Sequence, residues 1–227
     1  MDKKISLNGH PFMSYEKEMY EPTELLNRAK DFYYFMNKRR TVRDFSDRPI
    51  EREVIENLLL TASSAPSGAH KQPWTFCVVS DLEIKKKIRI AAEEEEKISY
   101  ESRMNEEWKN DLAALQTNWE KPFLEIAPYL IIVFSKSYSV DENQNKQQNY
   151  YVKESCGIAC GILLAAIHHA GLAALTHTPS PMNFLNKILD RPQNEKPFLL
   201  IPVGYLAKEC YVPCLERKPL NEISAWY

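Results

Sequence analysis

Arg39, Arg40 and Arg43 fall within five positions, with Thr41 and Val42 between them. Guanidiniums this close repel one another unless an anion lies among them, and an arginine can grip a phosphate through two parallel charge-assisted hydrogen bonds. One predicted helix later comes Ala65-Pro66-Ser67-Gly68-Ala69-His70-Lys71-Gln72-Pro73-Trp74. Ser67 offers a hydroxyl, and Gly68, lacking a Cβ, leaves the backbone open to a flat ligand. Pro66 and Pro73 stiffen the loop on either side. Taken alone, the basic run reads as a solvated patch at a helix end. The order of the two segments is what argues for a bound anion.

Other residues are ordinary one by one. Glu96 and Tyr100 are spaced i, i+4 and so project from one face of a helix. Glu96 closes a run of four glutamates that would usually be a solvated face, and Lys121 is an unremarked lysine. In Thr176-His177-Thr178-Pro179 the two threonines alternate, so on an extended segment His177 points to the opposite side. Residues so placed at a strand end are more often structural than catalytic. Arg217, in Glu216-Arg217-Lys218-Pro219, reads by itself as a surface charge.

The elements that must position these groups follow from periodicity. Leu25, Leu26, Ala29, Phe32, Tyr33 and Phe35 predict a helix over 22–37 that delivers the arginines. Val54, Ile55, Leu58, Leu59 and Ala62 predict a second, whose exit is the Ser67-Gly68 loop. β-Branched and aromatic runs at 75–79 and 129–134 read as buried strands, with further strands at 172–176 and 198–203. Residues 82–115 are helical by propensity, rich in Glu and Lys, and offer little apolar surface to bury. Such a stretch is a solvated helix or a lid that orders over a ligand. Residues 139–148 read as a polar loop, and the segment after Tyr150 as a helix apolar on nearly every face. The tail from Tyr211 suits an arm wrapping a second subunit. This mix of amphipathic helices and few, widely spaced strands indicates one α+β domain.

The 227 residues, 44% of them hydrophobic, can bury a substantial core. A formal charge of -2 gives no global attraction to nucleic acid or to an anionic membrane. Five cysteines, an odd number in a chain too long to be a disulfide scaffold, predict reduced thiols and a cytoplasmic location. Cys156 and Cys160, one helical turn apart in an apolar stretch, read as core packing, and no metal site is expected. No apolar stretch follows the N-terminal lysines, so neither signal peptide nor membrane anchor is expected.

The order of the Arg39–Arg43 run, one helix, and the Ala65–Gly68 loop resembles the nitroreductase superfamily. Residues 65–76 are similar to its iodotyrosine deiodinase branch. The resemblance implies a nitroreductase-like fold with a central, mostly antiparallel sheet flanked by helices, in a domain-swapped homodimer with two FMN sites at its interface. It implies that Arg39, Arg40, Thr41, Val42 and Arg43 hold the FMN phosphate and ribityl chain, with Ser67, Gly68 and Arg217 contributing. Thr176, His177 and Thr178 match the loop that places a threonine, here Thr178, at flavin N5. A hydroxyl donor there favours one-electron steps over hydride transfer. At His177 the vertebrate pattern has threonine.

The resemblance also gives Glu96, Tyr100 and Lys121 a joint role. With Thr117-Asn118-Trp119 before Lys121, they match a helical lid at about 92–122 that closes on a halotyrosine zwitterion. Ala69 matches the position whose backbone N–H meets the substrate phenolate, which halogenation makes easier to ionise. A C-terminal arm is implied at about 208–227. The implied activity is FMN-dependent reductive dehalogenation of iodo-, diiodo-, bromo- or chlorotyrosine, with electrons ultimately from NADPH through an external reductase. No Gly-x-Gly-x-x-Gly fingerprint is present, which agrees with that. Two alternatives stand beside it: an NAD(P)H-dependent nitroreductase or flavin reductase, and a flavoprotein that binds halotyrosine without turnover.

Overall fold

Leu25, Leu26, Ala29, Phe32 and Tyr33 recur at helical spacing behind Pro22, whose fixed φ suits a first helical turn. They form helix α1 (Pro22–Asn37). A computed structural model describes residues 4–227 and divides the chain into two units, 1–39 and 40–227. Within the first, α1 follows a hairpin of β1 (Lys4–Leu7) and β2 (His10–Met13), an element the sequence reading did not contain. No residue of α1 is buried, and Leu25, Leu26, Phe32, Tyr33 and Tyr34 are all exposed.

The second unit opens with the predicted helix α2 (Arg52–Ser63), which buries Ile55, Leu58 and Ala62. The strands follow the predicted β-branched runs: β3 (Trp74–Val79) and, after three helices, β4 (Tyr129–Lys136). The intervening helices are α3 (Leu82–Ile98), α4 (Glu106–Ala113) and the single turn α5 (Phe123–Ile126). A π-helical turn, Ser99–Arg103, follows α3 directly. Beyond β4 come β5 (Tyr138–Val140), β6 (Lys146–Gln148) and the helix α6 (Val152–His169). The unit is completed by β7 (Ala173–Ala174), α7 (Phe184–Ile188), β8 (Glu195–Gly204) and α8 (Leu220–Ile223) in the tail.

The sheet has the order β3-β4-β8-β7 and every pairing in it is antiparallel. Strand β4 is its spine because it is apolar on both faces. Leu130, Ile132 and Phe134 pack with Ile88, Ala92 and Leu124 of the α3 and α5 side, while Ile131 and Val133 pack with Ile55, Leu58, Leu163 and Ile167 of the α2 and α6 side. The period-two alternation of a strand thereby builds a core on each face of one sheet.

Two segments differ from expectation. The predicted strand over 172–176 is regular only at Ala173–Ala174, and beyond it the chain touches the sheet by a bridge between His177 and Leu200. The polar segment 139–148 is a hairpin and not a loop. The Asp141 carboxylate accepts the backbone N–H groups of Asn143 (2.9 Å) and Asn145 (2.8 Å), closing the turn that polar composition alone does not specify. The helix α6 is apolar as expected but buried on one side, and the backbone at Gly157 and Gly161 is open.

The charged helix α3 holds a buried lysine. Lys85 is 2% exposed, and its ammonium donates to the carbonyls of Glu125 (2.8 Å) and Ala127 (2.9 Å) at the end of α5. These are carbonyls the short helix cannot satisfy itself, and a cation there also complements its dipole. Burial pushes the Lys85 pKa below its ordinary value. Lys85→Met is expected to leave both carbonyls unpaired and to lower unfolding free energy by about 1 to 3 kcal/mol, measured by chemical denaturation.

Candidate active site

One face of α3 organises the site. From Lys85 through Arg89 and Glu93 to Glu96 and Tyr100, residues three or four apart all turn toward the segment 117–127. Arg89 pairs with Glu93 (2.7 Å) and with Glu125 (3.4 Å). Glu93 accepts the backbone N–H of Lys121 at 2.6 Å, which fixes the lysine's main chain. Glu96 then meets the Lys121 ammonium at 3.4 Å, and the Tyr100 hydroxyl donates to the Thr117 carbonyl at 3.1 Å. The Lys121 ammonium also donates to Asn118 O and lies 3.4 Å from Thr117 Oγ1. Ionic and hydrogen-bonding groups thus run alongside the apolar stripe of Ile84, Ile88 and Ala92, which the charge-rich composition of 82–115 hides.

These residues wall a cavity of about 410 Å³. Glu96, Tyr100 and Lys121 line it together with Arg43, Thr176, His177 and Thr178. Met104, Trp108, Leu112, Phe123 and Leu175 supply apolar wall. Arg103, from the π-helical turn, spans Glu95 (2.9 Å) and the Ser180 carbonyl (3.1 Å), tying this segment to the loop after Thr178.

Burial sets the charges. Side chains of the Glu96–Lys121 pair are 13% and 4% exposed, and desolvation raises the Glu96 pKa and lowers that of Lys121. Each partner's charge opposes the other's shift, so the ion pair depends on both members. Tyr100 is pushed up, first by burial and then by Glu96, and stays a donor. The Arg43 guanidinium is pushed down by burial. It forms no ion pair among the described residues.

The segment 176–178 alternates as the sequence predicts. Thr176 and Thr178 are exposed while His177 is buried. The backbone N–H of His177 donates to Leu200 O (2.8 Å), and Leu200 N–H returns a bond to His177 O (3.0 Å). The sheet therefore holds the threonines outward.

Not every candidate residue reaches this cavity. Val42 is buried and donates its N–H to Ala174 O at 3.3 Å, beside a parallel bridge from Thr41 to Ala174. Arg40 bonds the Pro213 carbonyl, and Asp44 accepts the N–H of Tyr211 at 3.1 Å, so the tail runs along the basic segment. Arg39 ends the first unit, and Arg217 is exposed in the tail. Ser67, Gly68 and Ala69 lie outside the cavity wall. Ser67 Oγ accepts the N–H of Gln72 at 2.9 Å, and Ala69 is held at φ 49°. A Cβ on Gly68 would stand 2.9 Å from Tyr151 Cδ2 and 3.0 Å from Tyr150 O, so glycine is required by packing as well as by any ligand. Among the described residues no cluster of His, Cys, Asp and Glu could hold a metal ion.

Residues 36–205 match the Nitroreductase family. The chain is 63% identical over 216 residues to an iodotyrosine deiodinase of Haliscomenobacter hydrossis, covering 95% of this chain and 97% of that protein. The chain belongs to the nitroreductase family, in its iodotyrosine deiodinase branch. Human iodotyrosine deiodinase 1 is 48% identical over 205 residues, 90% of this chain and 71% of that protein. A crystal structure of oxidized iodotyrosine deiodinase bound to FMN and 3-iodo-L-tyrosine superposes with TM-score 0.72 at 33% identity, over 86% of this chain and 98% of that one. A putative NADH dehydrogenase/NAD(P)H nitroreductase of Bacteroides thetaiotaomicron reaches TM-score 0.61 at 25% identity. The antiparallel sheet with helices on both faces is the nitroreductase fold that the motifs imply. Among the described residues no helix is long and apolar enough to cross a membrane.

Sequence reasoning did not single out Arg89, Glu93 or Arg103. The spacing Lys85, Arg89, Glu93, in phase with Glu96 and Tyr100, is the signal that identifies the first two. His177 carries a further consequence. Burial, with Lys121 and Arg43 nearby, pulls its pKa from 6.5 down to about 3. Between those values the unfolded chain binds a proton that the folded chain does not, so stability falls as pH drops below 6.5. Guanidinium titrations at pH 7, 6 and 5 are expected to show the protein losing up to about 1.4 kcal/mol per pH unit relative to a His177→Asn variant. The variant separates His177 from the oppositely signed contribution of Glu96. Parallel curves would contradict the assignment.

Proposed function

We propose that the chain is an FMN-dependent halotyrosine dehalogenase, converting iodo-, diiodo-, bromo- or chlorotyrosine to tyrosine and halide. The observation that carries this reading is the desolvated Glu96–Lys121 pair in the cavity wall. An amino-acid zwitterion exchanges into such a pair without changing the net charge: its ammonium takes Glu96 and its carboxylate takes Lys121. A neutral nitroaromatic gains nothing from the pair. The Tyr100 hydroxyl stays protonated and gives its proton to the Thr117 carbonyl, which ties the turn after α3 to the 117–127 segment.

FMN fits the remaining groups. The desolvated Arg43 guanidinium calls for an anionic or electron-rich partner, and Thr176 and Thr178 turn outward beside it in the same wall. Arg39, Arg40, Thr41, Val42, Arg43 and Arg217 would hold its phosphate and ribityl chain, with Ser67 and Gly68 contributing. Thr178 would donate at N5, and the Ala69 N–H would receive the substrate phenolate. Bound and reduced, FMN supplies the electrons that expel halide. Residues 92–122 act as the lid over the substrate, excluding water from the ion pairs it forms.

The protein acts as a single nitroreductase-like domain in a homodimer with the FMN sites at its interface. Three observations support this: the exposed apolar residues of α1, the open backbone at Gly157 and Gly161, and the 65–70 loop outside its own chain's cavity wall. Exposed Leu215, Leu220, Ile223 and Trp226 suit an arm at 208–227 that wraps the second subunit. An external reductase, fed by NADPH, provides the electrons. Five free thiols suit the reducing cytoplasm.

Anaerobic, dithionite-reduced protein mixed with diiodotyrosine is expected to release iodide and reoxidise its flavin; a flavin that stays reduced sinks the proposal. Rapid reduction by NADPH without a partner would point instead to a nitroreductase. Glu96→Gln and Lys121→Gln are each expected to raise the halotyrosine Kd about tenfold or more with FMN retained, read by flavin fluorescence. Unchanged affinity in both would remove the ion pair from the substrate site.

A further inference from the structure

His177 lies beside the Glu96–Lys121 pair in the cavity wall. Its ring is almost wholly buried and meets Phe123 edge to face, with centroids 5.7 Å apart at 87°. Nδ1 is 3.9 Å from Glu96 Oε1, an electrostatic contact longer than a hydrogen bond, and Nε2 is buried with no hydrogen-bond partner among the described residues. The charged groups around it are Glu96 from α3, Lys121 from the 117–127 segment, and Arg43. Two cations and burial keep the imidazole neutral, so one ring nitrogen carries the proton and the other a lone pair. The ring nitrogen nearer the carboxylate is repelled by it as a lone pair and attracted as an N–H. The proton therefore belongs on Nδ1, and the nitrogen left bare is Nε2.

We propose that His177 is a positioning residue for the substrate ammonium: its neutral Nδ1–H orients the Glu96 carboxylate without cancelling its charge. This rests on the halotyrosine reading above and moves His177 from the flavin side of the site to the substrate side. A cation in this position would pair with Glu96 and compete with the ammonium. An apolar side chain would leave the carboxylate free to turn entirely toward Lys121. The neutral imidazole does neither, and its backbone bridge to Leu200 keeps it in place.

Variants at 177 test this in the FMN-loaded protein. Flavin-fluorescence titrations compare 3-iodo-L-tyrosine with its desamino analogue, 3-(4-hydroxy-3-iodophenyl)propanoate, which lacks the ammonium. An asparagine amide nitrogen sits near the Nδ1 position of histidine, a glutamine amide near Nε2, and leucine has no donor. His177→Leu is expected to raise the Kd for 3-iodotyrosine about tenfold or more, and His177→Asn to return it to within about threefold of the original protein. The desamino analogue should change less than about twofold in both, because it makes no demand on Glu96. An unchanged Kd in His177→Leu, equal losses for both ligands, or an asparagine variant no better than leucine would each overturn the proposal. Where His177→Leu fails to retain FMN, the Asn and Gln variants decide: the glutamine variant should bind 3-iodotyrosine more weakly, and equal affinities overturn the assignment. Failure of the original protein to bind 3-iodotyrosine at all would strike the functional reading itself, a result distinct from any of these.

Discussion

The cavity depends on one polar face that runs along α3 and into the π-helical turn after it. Lys85, Arg89, Glu93, Glu96 and Tyr100 each engage a group on the 117–127 segment, by carbonyl, carboxylate, backbone amide, ammonium and carbonyl in turn. A helix with so many charges would ordinarily stay in water, because burying an unpaired charge costs more than the surrounding apolar surface returns. Here each charge finds a partner on a segment that is itself short of regular structure. Ile88 and Ala92 add the apolar contact that anchors α3 to the sheet.

That arrangement makes the site electrostatically tense. Glu96 and Lys121 are both shifted by burial toward their neutral forms and are kept charged by each other. Such a pair contributes little net stability, since desolvation offsets most of the Coulomb attraction. In the proposed function its use lies elsewhere, in offering two oppositely charged, poorly solvated groups to a ligand that carries both charges. Arg43 and His177 complete the wall with a desolvated cation and a neutral ring. Burial acts on the charge of Arg43, Glu96, Tyr100, Lys121 and His177 in that wall.

Much of the fold was legible in the sequence. α1 and α2 fall where apolar spacing predicts, and the buried strands β3, β4 and β8 where β-branched residues cluster. The hairpin at 138–148 was hidden because a side chain, Asp141, makes its turn, and composition cannot say which local polar contacts form. The extent of β7 was overestimated because Leu175, after Ala174, packs into the core without joining the ladder. At the site, alternation alone separates exposed Thr176 and Thr178 from buried His177. The partners of Glu96 were beyond reach by spacing: Lys121 is far along the chain, and only resemblance brought the two together.

By itself the sequence determined the chemistry available and the family to which it belongs: a basic run, a glycine loop, and Glu, Tyr and Lys in a recurring order. Those features survive any local rearrangement, because residue type and spacing are properties of the chain. Tertiary structure decided which glutamate of the run is desolvated and which is not. Glu94 faces water, Glu95 holds Arg103, Glu93 fixes the Lys121 backbone, and Glu96 faces the cavity. Identical carboxylates differ only by helical phase and by what the sheet brings opposite them. Burial, which assigns each its charge and its partner, is a property of the packed molecule.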